Sequence, residues 1–171
     1  MQKARDFIIE LASKGATFLF VGTKKQAQEA IRKESQRCGM YYVDRRWLGG
    51  LLTNFQTIRK SVAHFKGLEK MKTDGTFARL SKKEVSKLTK EMEKLEKNLS
   101  GVKNMESLPN AMFIIDSEKE ETAVNEARKL SIPIVGLIDT DCDPDLIDFP
   151  MPGNDDAMHS ISFITSYVAD S

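Results

Sequence analysis

Cysteine is scarce: Cys38 and Cys142 are the only two in 171 residues. They make neither a disulfide framework nor a zinc-ligand spacing, so a reducing compartment is the simpler reading. No apolar run is long enough to span a bilayer. Residues 1–10 include Lys3, Arg5, Asp6 and Glu10, so no signal peptide is expected at this start. Net charge is nearly absent, at +1, which excludes a chain that coats RNA by bulk charge. There is no G-x-S-x-G, no Cys–His constellation and no clear carboxylate pair. His64 and His159 stand without a partner motif. Nothing in the sequence asks for catalysis, a cofactor or a metal.

The charge that is present is segregated. Residues 24–60 carry nine Lys or Arg (24, 25, 32, 33, 37, 45, 46, 59, 60) against three acids (29, 34, 44). Residues 139–156 carry seven aspartates and no Lys or Arg. One part of the fold is therefore basic and another acidic. The basic part centres on residues 44–60, which hold the only tryptophan, Trp47, beside Arg45 and Arg46, followed by Gly49-Gly50. Thr53 and Gln56 stand at capping-box spacing, so a helix is expected to open there. The guanidinium fork suits phosphate, and glycine lets a backbone approach a polyanion. This loop reads either as a nucleic-acid contact or as a surface loop packed by a half-buried Trp47.

Helices are expected over 2–13, about 24–37, from Thr53 through Met71, from Ser81 to Val102, about 118–130, and from near Asp155 to Val168. Thr23/Gln26, Ser81/Glu84 and Ser117/Glu120 repeat the capping-box spacing. Apolar runs at 16–21, 41–43, 111–115 and 134–138 read as strands, three of them buried on both faces. Strands alternating with helices predict an α/β fold with a parallel sheet covered on both sides. Val85, Leu88, Met92, Leu95, Leu99 and Val102 recur as an a/d seam. Two successive amphipathic helices joined at Asp74-Gly75 predict an inserted antiparallel coiled-coil helical hairpin over 53–106. The globular domain would comprise 1–52 and 107–171.

Gly22-Thr23-Lys24-Lys25 follows a buried strand where phosphate binds in such folds. It lacks the Walker spacing and the G-x-G-x-x-G fingerprint. Lys24 and Lys25 read as phosphate contacts in preference to solvated first-turn lysines. Asp139 to Asp145 resembles the start of a calcium loop, but Pro144 and Pro150 stand where glycine and the bidentate glutamate are needed. Carboxylates capping turns are the preferred reading there, over a magnesium site.

Five motifs then occur in order. They are Val21 to Gln28, Arg46 to Phe55, Leu108 to Phe113, Asp139 to Pro144, and Pro152 to Ala157. Together they closely resemble the bacterial and organellar small-subunit ribosomal protein S-two family, over essentially the whole chain. The resemblance implies a Rossmann-like (flavodoxin-like) sheet with helices on both faces and a projecting coiled-coil hairpin. It implies no enzyme activity, a place on small-subunit rRNA near the neck between head and body, late entry into assembly, and in bacteria docking of ribosomal protein S-one. Neighbouring small-subunit proteins would be further partners, with no membrane involved. The location would be the cytoplasmic ribosome, or an organellar one.

The family also implies a glycine- and histidine-rich segment and a further strand ahead of the first helix. This sequence lacks both, so one sheet edge is expected to be bare and part of the rRNA and S-one surface missing. Relatives usually continue past the last helix, and most are expected to carry asparagine at Asp141. The residues expected to bind RNA are Lys24, Lys25, Arg45, Arg46, Trp47, Thr53, Asn54 and Arg59. The alternatives are a nucleotide-binding module and a protein–protein adaptor on the same fold.

Overall fold

A computed structural model describes residues 1–140 and 142–171. Helix α1 (Gln2–Ser13) leads into strand β1 (Phe18–Val21), helix α2 (Gln28–Arg37) and strand β2 (Tyr41–Val43). Helices α3 (Phe55–Thr73) and α4 (Lys82–Leu99) follow. The chain then returns through β3 (Ala111–Ile115), α5 (Glu121–Lys129), β4 (Ile134–Ile138), β5 (Phe149–Pro152) and α6 (Met158–Ala169). The five strands form one sheet in the order β2-β1-β3-β4-β5, with every pairing parallel. This is the doubly wound, flavodoxin-like order, whose crevice opens where the winding reverses between β1 and β3.

Strand periodicity divides the core into two layers. Phe18, Phe20, Phe113 and Leu137 face α1, α2 and α6. Leu19, Val21, Met112 and Ile114 face α5, the 47–52 loop and the base of the α3–α4 pair. All five residues of β3 and all five of β4 are buried, which explains their unbroken apolar runs.

Strand β5 was not expected, because Pro150 and Pro152 argue against a strand. Gly153 N donates to Ile138 O at 3.1 Å, so the alternate positions 150 and 152 face away from β4. Proline costs no ladder bond on that outer side. Phe7 of α1 stacks on Phe149 with ring centroids 4.1 Å apart.

The β2 edge is covered in part. Gly22 N donates to Val43 O at 3.0 Å, so the Tyr42 carbonyl points outward. The short 3-10 helix Ser100–Val102 lies against that carbonyl, with Gly101 at the closest approach.

Helices α3 and α4 pack on each other around Phe65, Leu68 and Met92. His64 Nε2 meets Glu91 Oε1 at 2.9 Å across the pair, so His64 has a partner that sequence did not reveal. The helices are joined by a turn in which Asp74 accepts from Thr76 N at 3.0 Å.

At the start of α4 the Ser81/Glu84 capping box is fully formed: Ser81 Oγ accepts from Glu84 N, and Glu84 accepts from Ser81 N at 3.0 Å. Ser81→Ala should cost about 1 kcal/mol. The check is a lower urea midpoint with an unchanged slope.

The other three capping-box spacings do not form. Helix α2 begins at Gln28, α3 at Phe55 and α5 at Glu121, none with a side-chain cap hydrogen bond. In each case tertiary partners have taken a member of the pair.

Candidate nucleic-acid interface

In a parallel sheet every loop that follows a strand lies along one edge. The basic loops follow β1 and β2, and the acidic loops follow β3, β4 and β5. The segregation of charge along the sequence thus becomes a segregation along one edge of the sheet. Lys24 stands where the two halves meet.

Lys24 Nζ lies 2.7 Å from Asp155, 2.5 Å from Asp156 and 3.3 Å from Asp116. Asp155 and Asp116 are largely buried, whereas Asp156 is 69% exposed and contributes little. Burial opposes the ammonium charge, but hydrogen bonds with Asp155, Asp156 and Asp116 outweigh it and hold Lys24 above its ordinary value. Asp155 is pushed up, first by burial and then by the neighbouring negative charge of Asp116 and Asp156 against the pull of Lys24. Asp116 adopts a left-handed φ of 65°, and its other oxygen accepts from Lys119 N at 3.0 Å. The lysine expected to meet phosphate is therefore already occupied. The crevice that would hold a nucleotide's phosphates is lined by carboxylates, which would repel them.

Ligand atoms of Asp116, Cys142 and Asp155 lie within 4.8 Å of one another. They mix two hard oxygens with a soft thiol, and Lys24 is already paired with both carboxylates, so a cation there would have to displace its ammonium. Elsewhere in the acidic stretch the aspartates cap turns. Asp139 accepts from Thr140 N at 2.7 Å and Asp143 from Asp145 N at 3.0 Å, whereas Asp148 reaches across to accept from Ile134 N, at the start of β4, at 2.8 Å. Asp141 lies outside the described residues.

The loop after β2 is built on one carboxylate from α5. Glu126 Oε1 accepts from Trp47 Nε1 at 3.0 Å and from Gly50 N at 2.7 Å. Its Oε2 accepts from Leu52 N at 3.0 Å, Thr53 N at 3.0 Å and Thr53 Oγ1 at 3.1 Å. Burial works to raise the Glu126 pKa, but the Thr53, Trp47, Gly50 and Leu52 hydrogen bonds together hold it below the usual range. Gly50 has φ +83°, a conformation that favours glycine, and this aims its amide at the carboxylate. Leu51 and Leu52 are buried beneath the loop, and Asn54 N closes it onto Gly50 O at 2.8 Å.

Just ahead of α5, Glu120 accepts from Thr23 N at 2.8 Å and from Thr23 Oγ1 at 2.5 Å. Burial raises its pKa despite those bonds. The two glutamates thus tie down the loops after β1 and β2 respectively.

These motifs and this fold coincide with a known family. The model for ribosomal protein S2 matches residues 1–171. The chain belongs to the ribosomal protein S2 family. It is also similar to the small ribosomal subunit protein uS2 of Treponema pallidum subsp. pallidum, with 56% identity over 170 residues. That alignment covers 99% of this chain and 58% of the relative, so the chain spans less than two thirds of the relative's length.

In this S2-family chain the residues singled out by sequence divide into two groups. Arg45, Arg46, Lys25 and Arg59 are exposed, as are Thr53 and Asn54. Asp44, 6% exposed, approaches Arg45 Nε and Arg32 Nε only at 3.9 Å each. Burial raises the Asp44 pKa against the pull of Arg32 and Arg45. Arg59 lines a hollow of about 140 Å³ with Lys66 and Lys103 at the base of the α3–α4 pair.

Trp47 and Lys24 form the inward group. Of the two roles left open for Trp47, the structure shows packing: it is 9% exposed and its indole N–H is spent on Glu126. Sequence reasoning missed Glu120, Glu126, Asp116 and Asp155. Glu120 could have been found, because it shares the helical stripe of Ala123, Val124 and Ala127, where an acid is out of place.

Proposed function

We propose that this chain is a structural component of the small ribosomal subunit and holds the rRNA backbone with the loops over β1 and β2. Arg45 and Arg46 neutralise phosphates, with Lys25 and Arg59 extending the cationic surface. Thr53 and Asn54 present the start of α3 beside them. Trp47 and Lys24 act from within, by holding the loops that carry these cations. The observation that carries the reading is an exposed arginine pair on a loop whose own anchor, Glu126, takes only N–H and O–H donors.

The same reading makes residues 53–106 a hairpin unit attached to a globular domain of 1–52 and 107–171. Its lysine-rich outer faces meet rRNA or neighbouring ribosomal proteins. Docking of protein S-one belongs to this proposal for a bacterial ribosome. The bacterial source of the relative favours the bacterial cytoplasm over an organelle. No helix among the described residues is long and apolar enough to cross a membrane. The carboxylate-lined crevice weighs against the nucleotide-binding alternative and against an enzyme built on it.

The test is co-sedimentation with small subunits stripped of this protein, over a salt series. The change Arg45→Ala with Arg46→Ala should weaken binding and lower the slope of log K against log salt by about two, as loss of two phosphate contacts requires. An unchanged slope would overturn the assignment.

A further inference from the structure

We propose that Glu126 is the positioning residue of this interface: its carboxylate gathers Trp47, Gly50, Leu52 and Thr53 so that Arg45 and Arg46 are presented in one geometry before RNA arrives. The inference rests on the rRNA-binding reading above and names the group that sets up that site.

Five donors converge on one side chain that is 8% exposed. They come from seven consecutive residues, 47 to 53, although Glu126 lies 73 to 79 positions away in the chain. The bonds therefore fix the loop to the far side of the fold, which local turn chemistry cannot do.

No Lys or Arg pairs with Glu126 among the described residues. This matters for function. A buried carboxylate neutralised by Arg45 or Arg46 would consume the charge needed for phosphate. Here backbone amides, an indole and a hydroxyl stabilise the anion, and both guanidinium groups stay exposed. A loop ordered in advance loses less conformational freedom on binding, so the same contacts yield a tighter complex.

Glutamine cannot replace the carboxylate. Its single carbonyl oxygen can serve only one set of donors. Its amide nitrogen, itself a donor, would then face either Trp47 Nε1 and Gly50 N or the Leu52 and Thr53 group. At least two buried donors would be orphaned, and the loop would open to satisfy them with water.

Trp47 is the only tryptophan, so its fluorescence reports on this loop alone. In E126Q its emission should move to longer wavelength and its quenching by acrylamide should rise. Amide exchange at Gly50, Leu52 and Thr53 should accelerate, while the amides of β3 stay protected. Half-saturation on stripped small subunits should require at least about tenfold more protein.

The decisive comparison adds E126Q to the Arg45→Ala, Arg46→Ala variant. If Glu126 acts through the arginines, the triple variant binds no more weakly than the double. Additive losses would overturn the inference and leave Glu126 a general support of the fold. Should E126Q also lose β3 protection, E126D serves with the same readouts, since it keeps the charge but withdraws it by one methylene. Unchanged fluorescence and affinity in E126D would overturn the inference as well. Wild-type protein that fails to bind the stripped subunits would instead overturn the rRNA reading, while the fluorescence and exchange results would still test the loop anchor.

Discussion

Lys24→Met is expected to destabilise the chain by roughly 3–5 kcal/mol near neutral pH, because it leaves Asp116 and Asp155 largely buried without their counter-charge. Methionine keeps the length and apolar stem, so the loss measures charge more than packing. The pH dependence identifies the cause. In the wild type Lys24 is held above its ordinary value, so its contribution is complete below the unfolded lysine pKa and disappears only as pH rises through the folded one, in strong alkali.

In the variant the carboxylates decide. Asp155 is already raised in the wild type by burial and by Asp116 and Asp156, and losing Lys24 raises it further. A carboxyl raised on folding opposes stability above its folded pKa and stops doing so as pH falls to the unfolded value, about 4. The deficit in urea-unfolding free energy should therefore shrink steadily from pH 7 to pH 4. A deficit that stays constant over that range would show that Lys24 acts by packing and not by pairing.

Gly101→Ala is expected to cost about 3 kcal/mol, at the upper end for overpacking, because the obstacle is backbone. A Cβ at this position would overlap the Tyr42 carbonyl oxygen and lie 2.7 Å from both Cγ and Cδ2 of the Tyr42 ring. Neither the 3-10 helix nor β2 can give way cheaply. β2 is only three residues long, and Tyr42 is registered against Phe20. The thermal midpoint should fall by roughly 6–12 °C for a chain of this size. Gly67→Ala is the internal control, since nothing lies within 4 Å of its Cβ position and the site is an exposed helix interior. That change should be neutral or stabilising by up to about 1 kcal/mol. Equal midpoints for the two variants would show that the edge cover at Gly101 is not a constraint.

Much of the fold was legible because it rests on local periodicity. The apolar runs at 111–115 and 134–138 match β3 and β4 to the residue, since strands buried on both faces leave no polar gap. Helix α1 was equally clear. Strand β5 was not, because its two prolines argue for a loop unless the chain is known to lie at an edge, facing outward. Its neighbours, and so its edge position, are set by residues far away.

The capping boxes make the same distinction. All four spacings look alike in the sequence, yet only Ser81/Glu84 forms, at an exposed helix start where no distant group competes. Thr23 and Thr53 give their hydroxyls to Glu120 and Glu126 instead, partners 97 and 73 positions away in the chain. A local hydrogen bond worth about 0.5–1 kcal/mol yields when a buried carboxylate would otherwise be left unsatisfied.

The basic and acidic halves, the parallel class of sheet, the arginine pair and the family are all carried by residue order alone, because each depends on neighbours in sequence. The tertiary structure decided which charges remain free. Lys24 and Arg45 look equally cationic along the chain. Folding places the first against Asp116 and Asp155, and leaves the second at the surface of a loop anchored on Glu126. Electrostatic partnership acts through space, and only the strand order β2-β1-β3-β4-β5 brings the acids that follow β3 and β5 to the lysine that follows β1.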